Sequence, residues 1–547
     1  MRIVLAQINP TVGDLEGNQK KIISAIHEAK KLGADIILFP ELALCGYPPE
    51  DLLFLPQFIE EINIKLNEIV LRTKGITAVV GTVRKNLGPK GKDLFNSAAI
   101  LSNGKLLYFQ DKILLPTYDV FDERRYFEPG NQSHIFELCG KKIAVTICED
   151  IWEHSQLGVE FSDIKYHVSP VQELKKLKPD LILNLSSSPF CTTHFKDRLK
   201  VCCHAAKSIH APLLYCNQVG ANDSLIFDGY SLVVNEKGEL VDLAKGFQED
   251  FLLVDYPLKL APKQIIDNPL SDLYHALALG VRDYFQKSEF KKAILGLSGG
   301  IDSALVLCIA TEALGAENVL AIAMPSRFSS SDSIKDAKIL ADRLSVEFKE
   351  ISIEPPFESY LNILQPHFQR QEFDVTEENL QARIRGMLLM SMSNKFGYIV
   401  LSTGNKSEMA LGYCTLYGDM CGGLSVIGDV TKSEVYQLAG WLNRNEEIIP
   451  WNTIHRPPSA ELKENQKDQD TLPEYEVVDN ILQSYLEGHF SVEEIAEKFN
   501  YPLECVKDLI KRIHQNEYKR KQAPPGLRIS KKAFTVGRRF PIVQKWI

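Results

Sequence analysis

The stretch Ile294-Leu295-Gly296-Leu297-Ser298-Gly299-Gly300-Ile301-Asp302-Ser303 constrains this chain more than any other, because an apolar run that reads as a buried strand breaks at Ser-Gly-Gly and resumes as a helix. Two glycines permit positive φ and a close approach of backbone to ligand, and the helix start offers free N–H groups at the positive end of its dipole. Ser298 and Ser303 add hydroxyls at the rim. Asp302 places a carboxylate beside any bound phosphate, which is unfavourable unless a divalent cation lies between them. The loop therefore predicts an α/β unit that holds a metal nucleotide. No Lys follows a G-x-x-x-x-G spacing and no G-x-G-x-x-G is present, so neither the Walker loop nor the dinucleotide fingerprint applies. A tight turn without ligand is the rival reading, and the flanking serines and aspartate weigh against it.

A chain of 547 residues holds two or more domains, and 45% hydrophobic with 24% charged residues is an ordinary globular composition. The net charge of −9 argues against nucleic-acid and membrane-surface partners and leaves small-molecule chemistry. Eleven cysteines without a C-x-x-C pair, most inside apolar runs as Cys216 and Cys308 are, fit reduced thiols in a cytoplasm. The N-terminus turns polar too soon for a signal peptide, and no apolar run is long enough to span a bilayer.

Around the Ser-Gly-Gly loop, strand-like runs at 293–297, 320–324, 347–353 and 398–402 alternate with helical segments, which implies a parallel sheet with helices on both faces. The segment Leu401-Ser402-Thr403-Gly404-Asn405-Lys406-Ser407-Glu408 should reach the same sheet edge as Ser298, so that Thr403 meets the nucleotide and Glu408 joins Asp302 around Mg²⁺. Without that context Glu408 reads as a surface-helix carboxylate, and Tyr417-Gly418-Asp419-Met420-Cys421-Gly422-Gly423 as a flexible loop. The charge-rich run from Glu461 to Pro473 reads as a mobile loop over substrate.

The Ser-Gly-Gly loop resembles the pyrophosphate loop of the ATP pyrophosphatase family. Glu378-Asn379-Leu380-Gln381-Ala382-Arg383-Ile384-Arg385-Gly386, the run Leu411 to Asp419, and Arg456-Pro457-Pro458-Ser459-Ala460-Glu461-Leu462 are similar to NAD synthetase signatures. The resemblance implies ATP at Gly296, Leu297, Ser298, Gly299, Gly300, Ile301, Asp302, Ser303, Thr403, Lys432 and Ser459. It further implies deamido-NAD near Asn379, Arg383, Glu408 and Lys519, with Mg²⁺ on Asp302 and Glu408. On composition alone, Lys519 lies in a basic stretch that also reads as a solvated tail.

Strand-like runs fill the first half at 3–8, 35–40, 77–83, 97–101, 142–147, 181–185, 212–217 and 231–234, with hairpin turns at Asn103-Gly104 and Lys237-Gly238. Helical periodicity marks 18–32 and 58–73. Glu41 follows the run ending at Pro40, Lys112 follows Tyr108-Phe109-Gln110-Asp111, and Cys148 ends the run 142–147, each at or near a strand's C-terminal end, where α/β folds place active groups. A thiol beside a carboxylate and an ammonium suits amide hydrolysis. Singly, Cys148 reads as a buried small hydrophobe and the other two as solvated charges. Phe39-Pro40-Glu41-Leu42, Asp111-Lys112 and Thr146-Ile147-Cys148-Glu149-Asp150 resemble the three signatures of the nitrilase (carbon–nitrogen hydrolase) family. The run Leu115 to Phe127 is similar to the glutaminase branch attached to NAD synthetases. The resemblance implies an αββα sandwich with Glu41 as general base, Lys112 stabilising the tetrahedral intermediate, Cys148 forming a thioester and Glu123 as a supporting acid. It places glutamine at Tyr118, Ser188 and His194, the last standing where related chains usually carry Lys or Arg.

The expected organisation is thus an α/β chain: a nitrilase-like αββα sandwich at 1–260, a proline-marked linker at 261–270, and a doubly wound parallel-sheet ATP-pyrophosphatase domain (adenine nucleotide alpha hydrolase-like) at 271–547. The resemblance also implies a homo-oligomer and a dry internal passage for ammonia. Two rivals are a different acceptor for the same adenylation, including tRNA, and a first half that only binds or assembles. Intact Glu41, Lys112 and Cys148 oppose the second rival.

Overall fold

The computed structural model describes residues 1–153, 157, 164–265, 267–368 and 371–546. Contacts divide the chain into two units, Met1–Asn268 and Pro269–Ile547.

The first unit carries β1 (Arg2–Gln7), β2 (Ile36–Leu38), β3 (Thr77–Lys85), β4 (Leu94–Ser102), β5 (Lys105–Asp111), β6 (Ile135–Leu138), β7 (Lys141–Ile147), β8 (Leu181–Ser186), β9 (Leu213–Asn217), β10 (Val219–Asn222), β11 (Leu225–Asp228), β12 (Leu232–Val234), β13 (Leu240–Leu243) and β14 (Asp250–Asp255). They form two six-stranded sheets, ordered β14-β1-β2-β3-β4-β5 and β13-β12-β9-β8-β7-β6, plus the hairpin β10-β11. Side-chain alternation explains why the sheets stack. Ile3, Leu5, Ile36 and Leu38 of one pack with Ile143, Val145, Leu181 and Leu183 of the other in a single apolar layer. The opposite face of the second sheet, with Ala144 and Ile182, packs on helices Pro170–Leu177 and His194–Ile209. Helix Pro56–Val70 packs on β3 of the first sheet, beside helix Leu15–Lys31. The result is the four-layer αββα sandwich.

All eight expected strands of this unit form, and Asn103 and Gly104 both take positive φ in the β4–β5 turn. Six further strands lie outside those runs, and two of them, β5 and β13, complete the hairpins expected at Asn103-Gly104 and Lys237-Gly238. Of the six, β5, β6, β13 and β14 lie at sheet edges, where half of each strand meets solvent and the apolar run is short or interrupted. The proline-marked segment after Tyr256 carries no helix or strand, but Lys263 is tied to the Leu240 carbonyl and to Asp242. The following helix begins at Pro269, as proline favours at a first turn.

In the second unit, β15 (Lys292–Gly296), β16 (Val319–Ala323), β17 (Glu347–Glu350), β18 (Tyr398–Ser402) and β19 (Leu424–Ser425) form a wholly parallel sheet ordered β17-β16-β15-β18-β19. Helix Val375–Phe396 packs on it through Ile384 and Leu389. Helix Ile301–Leu314 also packs on β15 and against Pro269–Lys287 and Lys432–Leu442. Chain order reverses between β15 and β18, so the loops leaving those strands face each other across the crevice where open α/β sheets bind ligands. Predicted strand 347–353 stops at Glu350, although the Ile351 and Ile353 amides still reach the Ala323 and Pro325 carbonyls. Helices Tyr475–Leu482, Val492–Phe499 and Leu503–Gln515 form a separate apolar cluster, and the Ser491/Glu494 capping box forms.

Gly81 on β3 passes directly beneath the turn that carries Glu41. A β-carbon there would lie 2.2 Å from the Pro40 carbonyl oxygen and 2.4 Å from the Leu42 nitrogen. Gly81→Ala should therefore destabilise the first unit by ~2 kcal/mol or more, read as a lowered thermal transition; an unchanged transition would contradict the close approach.

Candidate functional sites

Glu41, Lys112 and Cys148 leave the ends of β2, β5 and β7, which belong to two different sheets, and the sandwich brings them together. The Lys112 ammonium donates to Glu41 Oε1 and Glu123 Oε1, each at 2.7 Å, with all three residues buried. Asn96 Nδ2 donates to Glu41 Oε1 at 2.7 Å and the Ser187 amide to Oε2 at 3.2 Å. Tyr47 donates its hydroxyl to Glu123 at 2.9 Å. Burial opposes the Lys112 charge, but Glu123 and Glu41 outweigh it and hold the ammonium well above the usual lysine range. Burial raises Glu123 to about 7, with Glu41 adding and Lys112 opposing.

Cys148 opens a 3₁₀ turn, Cys148–Ile151, with φ of 42°. That left-handed backbone is costly for a non-glycine residue and turns the thiol out of the strand. Burial, then the Glu41 charge, raise the thiol well above its usual range while Lys112 pulls the other way. The resting group is a thiol whose activation needs a proton acceptor. Asp150, two residues on, accepts from the amides of Ile113 and Leu114 at 2.9 Å each and of Ile147 at 3.0 Å, pinning the Lys112 segment to the cysteine turn.

The three residues expected to hold glutamine gather around this turn. Tyr118 donates to Glu149 at 2.9 Å, Ser188 Oγ lies 3.0 Å from His194 Nε2, and the His194 ring stacks on Trp152 at 5.3 Å. Ser188 follows Ser187, whose hydroxyl bonds the Glu41 carbonyl. Sequence reasoning missed Tyr47, Asn96 and the role of Asp150. Only Asp150 lay in a recognisable motif.

In the second unit a cavity of about 300 Å³ is lined by the whole 296–303 loop and by Thr403, Glu408, Lys432 and Ser459. The loop is self-wired. Ser298 and Ser303 hydroxyls lie 3.1 Å apart, and the Gly300 amide donates to Ser298 Oγ at 3.2 Å. Gly299 has φ of 83°, and a β-carbon there would sit 2.1 Å from the Ser333 carbonyl oxygen, so only glycine fits. Asn405, the N-cap after β18, donates to Asp302 Oδ1 at 2.9 Å across the switch point, as the expected meeting of the two loops requires. The Lys432 ammonium bonds Asp302 and reaches Glu408 Oε1 at 3.4 Å. Burial raises Glu408 to about 8, Lys432 opposing and Asp302 adding.

Among the described residues no group of three or more His, Cys, Asp or Glu forms a metal cage. Asp302 and Glu408 converge on one cation, Lys432, and two carboxylates completed by phosphate and water fit Mg²⁺.

Asn379, Arg383 and Lys519 do not line this cavity. They grip the adjoining loop instead. Asn379 Oδ1 accepts from Thr415 at 2.6 Å, Arg383 Nε donates to the Leu416 carbonyl at 3.2 Å, and Lys519 donates to the Gly412 and Cys414 carbonyls at 2.8 Å each. Lys519 thus lies in a short helix, Glu517–Arg520, and not in a solvated tail. The charge-rich run after Glu461 borders the cavity through Glu461, Leu462 and Asp468; Glu461 is anchored to Ser330 and Ser333, and Asp468 to Tyr413 and Tyr475.

Two family matches divide the chain: carbon-nitrogen hydrolase over residues 2–263 and NAD synthase over residues 273–523. Together they define an amidase-type unit joined to an NAD synthase unit. The glutamine-dependent NAD(+) synthetase of Synechocystis sp. is 47% identical over 99% of this chain and 98% of its own, and that of Thermotoga maritima is 43% identical over 100% and 99%. A structure of glutamine-dependent NAD+ synthetase from Acinetobacter baumannii, in complex with adenosine diphosphate, is 40% identical with a TM-score of 0.77, covering 100% of this chain and 99% of that one. The chain belongs to the glutamine-dependent NAD(+) synthetases.

The raised Glu123 gives the first site a pH signature. Its folded-state value near 7 exceeds the ordinary carboxylate range, so its contribution to folding is full at low pH and is lost as pH rises from about 4.5 to about 7. Glu123→Gln should abolish this loss: relative to the variant, the wild type should become less stable by on the order of 1–3 kcal/mol across that window. Thermal unfolding at several pH values measures it, and parallel curves would refute the buried proton.

Proposed function

We propose that the chain makes NAD from deamido-NAD, ATP and glutamine, releasing AMP, pyrophosphate and glutamate. The observation that carries this reading is the pairing, in one chain, of a buried Glu-Lys-Cys site with a self-wired Ser-Gly-Gly nucleotide loop.

At the first site Glu41 takes the Cys148 proton as sulfur attacks the side-chain amide carbon of glutamine. Lys112 stands against the oxyanion of the tetrahedral intermediate, and a proton returned from Glu41 lets ammonia leave. Water then frees glutamate from the thioester with Glu41 again as base. The geometry supports these roles: Glu41 is already held by Lys112, Asn96 and the Ser187 amide, so its carboxylate is aimed and does not need to reorganise. Tyr118, Ser188 and His194 border the substrate.

At the second site the nicotinate carboxylate attacks the α-phosphorus of ATP, and ammonia displaces AMP from the resulting mixed anhydride. Backbone amides at the start of helix Ile301–Leu314, with the Ser298 and Ser303 hydroxyls, receive the phosphates. Mg²⁺, held by Asp302 and Glu408 when bound, supplies positive charge to the departing pyrophosphate. Asn379, Arg383 and Lys519 shape the loop that receives deamido-NAD. Ammonium is no nucleophile, so passage of ammonia without release to bulk water is part of this reading.

Cys148→Ala should abolish glutamine-driven NAD formation while leaving ammonium-driven formation within about threefold of wild type. Amide product, AMP and pyrophosphate are followed together. Equal activity with both donors would remove the glutaminase role, and release of ADP with orthophosphate would remove the adenylation.

A further inference from the structure

Three cationic side chains line the cavity of the second unit, and two are already engaged. Lys432 holds Asp302 and Glu408, and Arg456 bonds Asp336 and Ser333. Arg385 differs. Its Nε donates to the Met324 carbonyl at 3.0 Å, and among the described residues its guanidinium makes no ion pair. Burial lowers it to about 10, and the charges of Glu461 and Asp419 only partly oppose that fall. It remains cationic at neutral pH. A half-buried guanidinium facing the cavity without an ion pair is unfavourably placed, and an anionic ligand would relieve that.

Position identifies the anion. Met324 follows β16, and a β-carbon on Gly296, where the phosphate loop begins, would lie 3.1 Å from Met324 Cε and 3.6 Å from Leu389 Cδ1, one turn along the helix from Arg385. On the other side, Gly386 abuts the loop gripped by Asn379, Arg383 and Lys519, since a β-carbon there would meet the Gly418 and Tyr417 carbonyl oxygens at 2.9 and 3.0 Å. Arg385 therefore stands between the nucleotide loop and the loop assigned above to the dinucleotide acid. The reaction must bring two anions together at such a point.

We propose that Arg385 is a further catalytic residue, whose guanidinium receives both the α-phosphate of ATP and the nicotinate carboxylate during adenylation. The inference rests on the function proposed above. In that step a carboxylate oxygen bonds to the α-phosphorus, the bond from that phosphorus to the bridging oxygen breaks, and pyrophosphate leaves with the electron pair. Arg385 gives up no proton. Its planar fork spans two oxyanions where a lysine offers a single point charge, and its contacts strengthen as charge gathers on the equatorial oxygens.

Full-length Arg385→Gln and Arg385→Lys, assayed with ammonium so that the glutaminase is not limiting, test this. Arg385→Gln should lower kcat, and the deamido-NAD-dependent exchange of labelled pyrophosphate into ATP, by about 10²–10³-fold. KM for ATP, held by the phosphate loop, should stay within about threefold while KM for deamido-NAD rises. Arg385→Lys should recover at least about tenfold of the loss. Melting temperatures should stay close to wild type, because Arg385 is half-buried and the substitution breaks no ion pair, only the bond to the Met324 carbonyl. An unchanged kcat, an effect confined to the ATP KM, equal loss in both variants, or a lowered melting temperature marking a structural role would each overturn the assignment. Wild-type enzyme that makes no AMP and pyrophosphate would instead sink the reading beneath it.

Discussion

A lysine buried between two carboxylates is the interaction on which both units depend. Lys112 lies between Glu41 and Glu123, and Lys432 between Asp302 and Glu408. Taking an ammonium out of water costs several kcal/mol, and pairing repays it only when geometry is good on both sides. Neither triad is local in sequence: Glu41 and Lys112 leave different strands, and Lys432 starts a helix that packs on the one bearing Asp302. Each triad therefore holds its site in shape while keeping its lysine charged, and a charge fixed in a dry place is worth more to a developing oxyanion than one that must be recruited from solvent.

The individual groups were legible because each interrupts a pattern. Glu41 and Cys148 end apolar runs, Lys112 follows the short stretch Tyr108-Phe109-Gln110-Asp111, and Ser298-Gly299-Gly300 breaks a strand from a helix. Their assembly was not. Lys112 and Cys148 follow strands of opposite sheets, and which edges of two six-stranded sheets face one another is set by crossovers and by the register of alternating side chains, not by any short motif. Resemblance to known families supplied that link. Edge strand β5 was marked only by its hairpin turn and by no clean run of its own, for a related reason: Leu106 and Leu107 are exposed there, so burial did not impose a clean alternation.

The second unit was more legible, since four of its five strands alternate with helices and a parallel sheet follows almost by necessity. Only the two-residue β19 was too short to see. The switch point between β15 and β18 follows from strand order, and it is why Asn405 meets Asp302 from 103 positions away. Arg385 was illegible for the opposite reason. An arginine two positions from Arg383 on a long helix reads as one more solvated charge, yet Arg383 is exposed while Arg385 turns to the cavity, because two residues advance about 200° around a helix.

The charges lining that cavity bear on how ATP enters. Asp302, Glu408, Asp419, Glu461 and Asp468 face Lys432, Arg456 and Arg385, so carboxylates outnumber cations. Burial raises Glu408 to about 8 and Asp419 to about 6, and lifts Asp468 as well. A bare polyphosphate brought against such walls would drive these groups further toward protonation and lose the oxygens that a hard cation needs. A divalent cation arriving with the nucleotide would act the other way: Asp302 and Glu408 are the carboxylates that would hold it, and it would supply positive charge where Lys432 alone now stands between them. By this charge balance the cavity would suit a metal complex better than free nucleotide, with Lys432 close enough to the carboxylates to share in holding it.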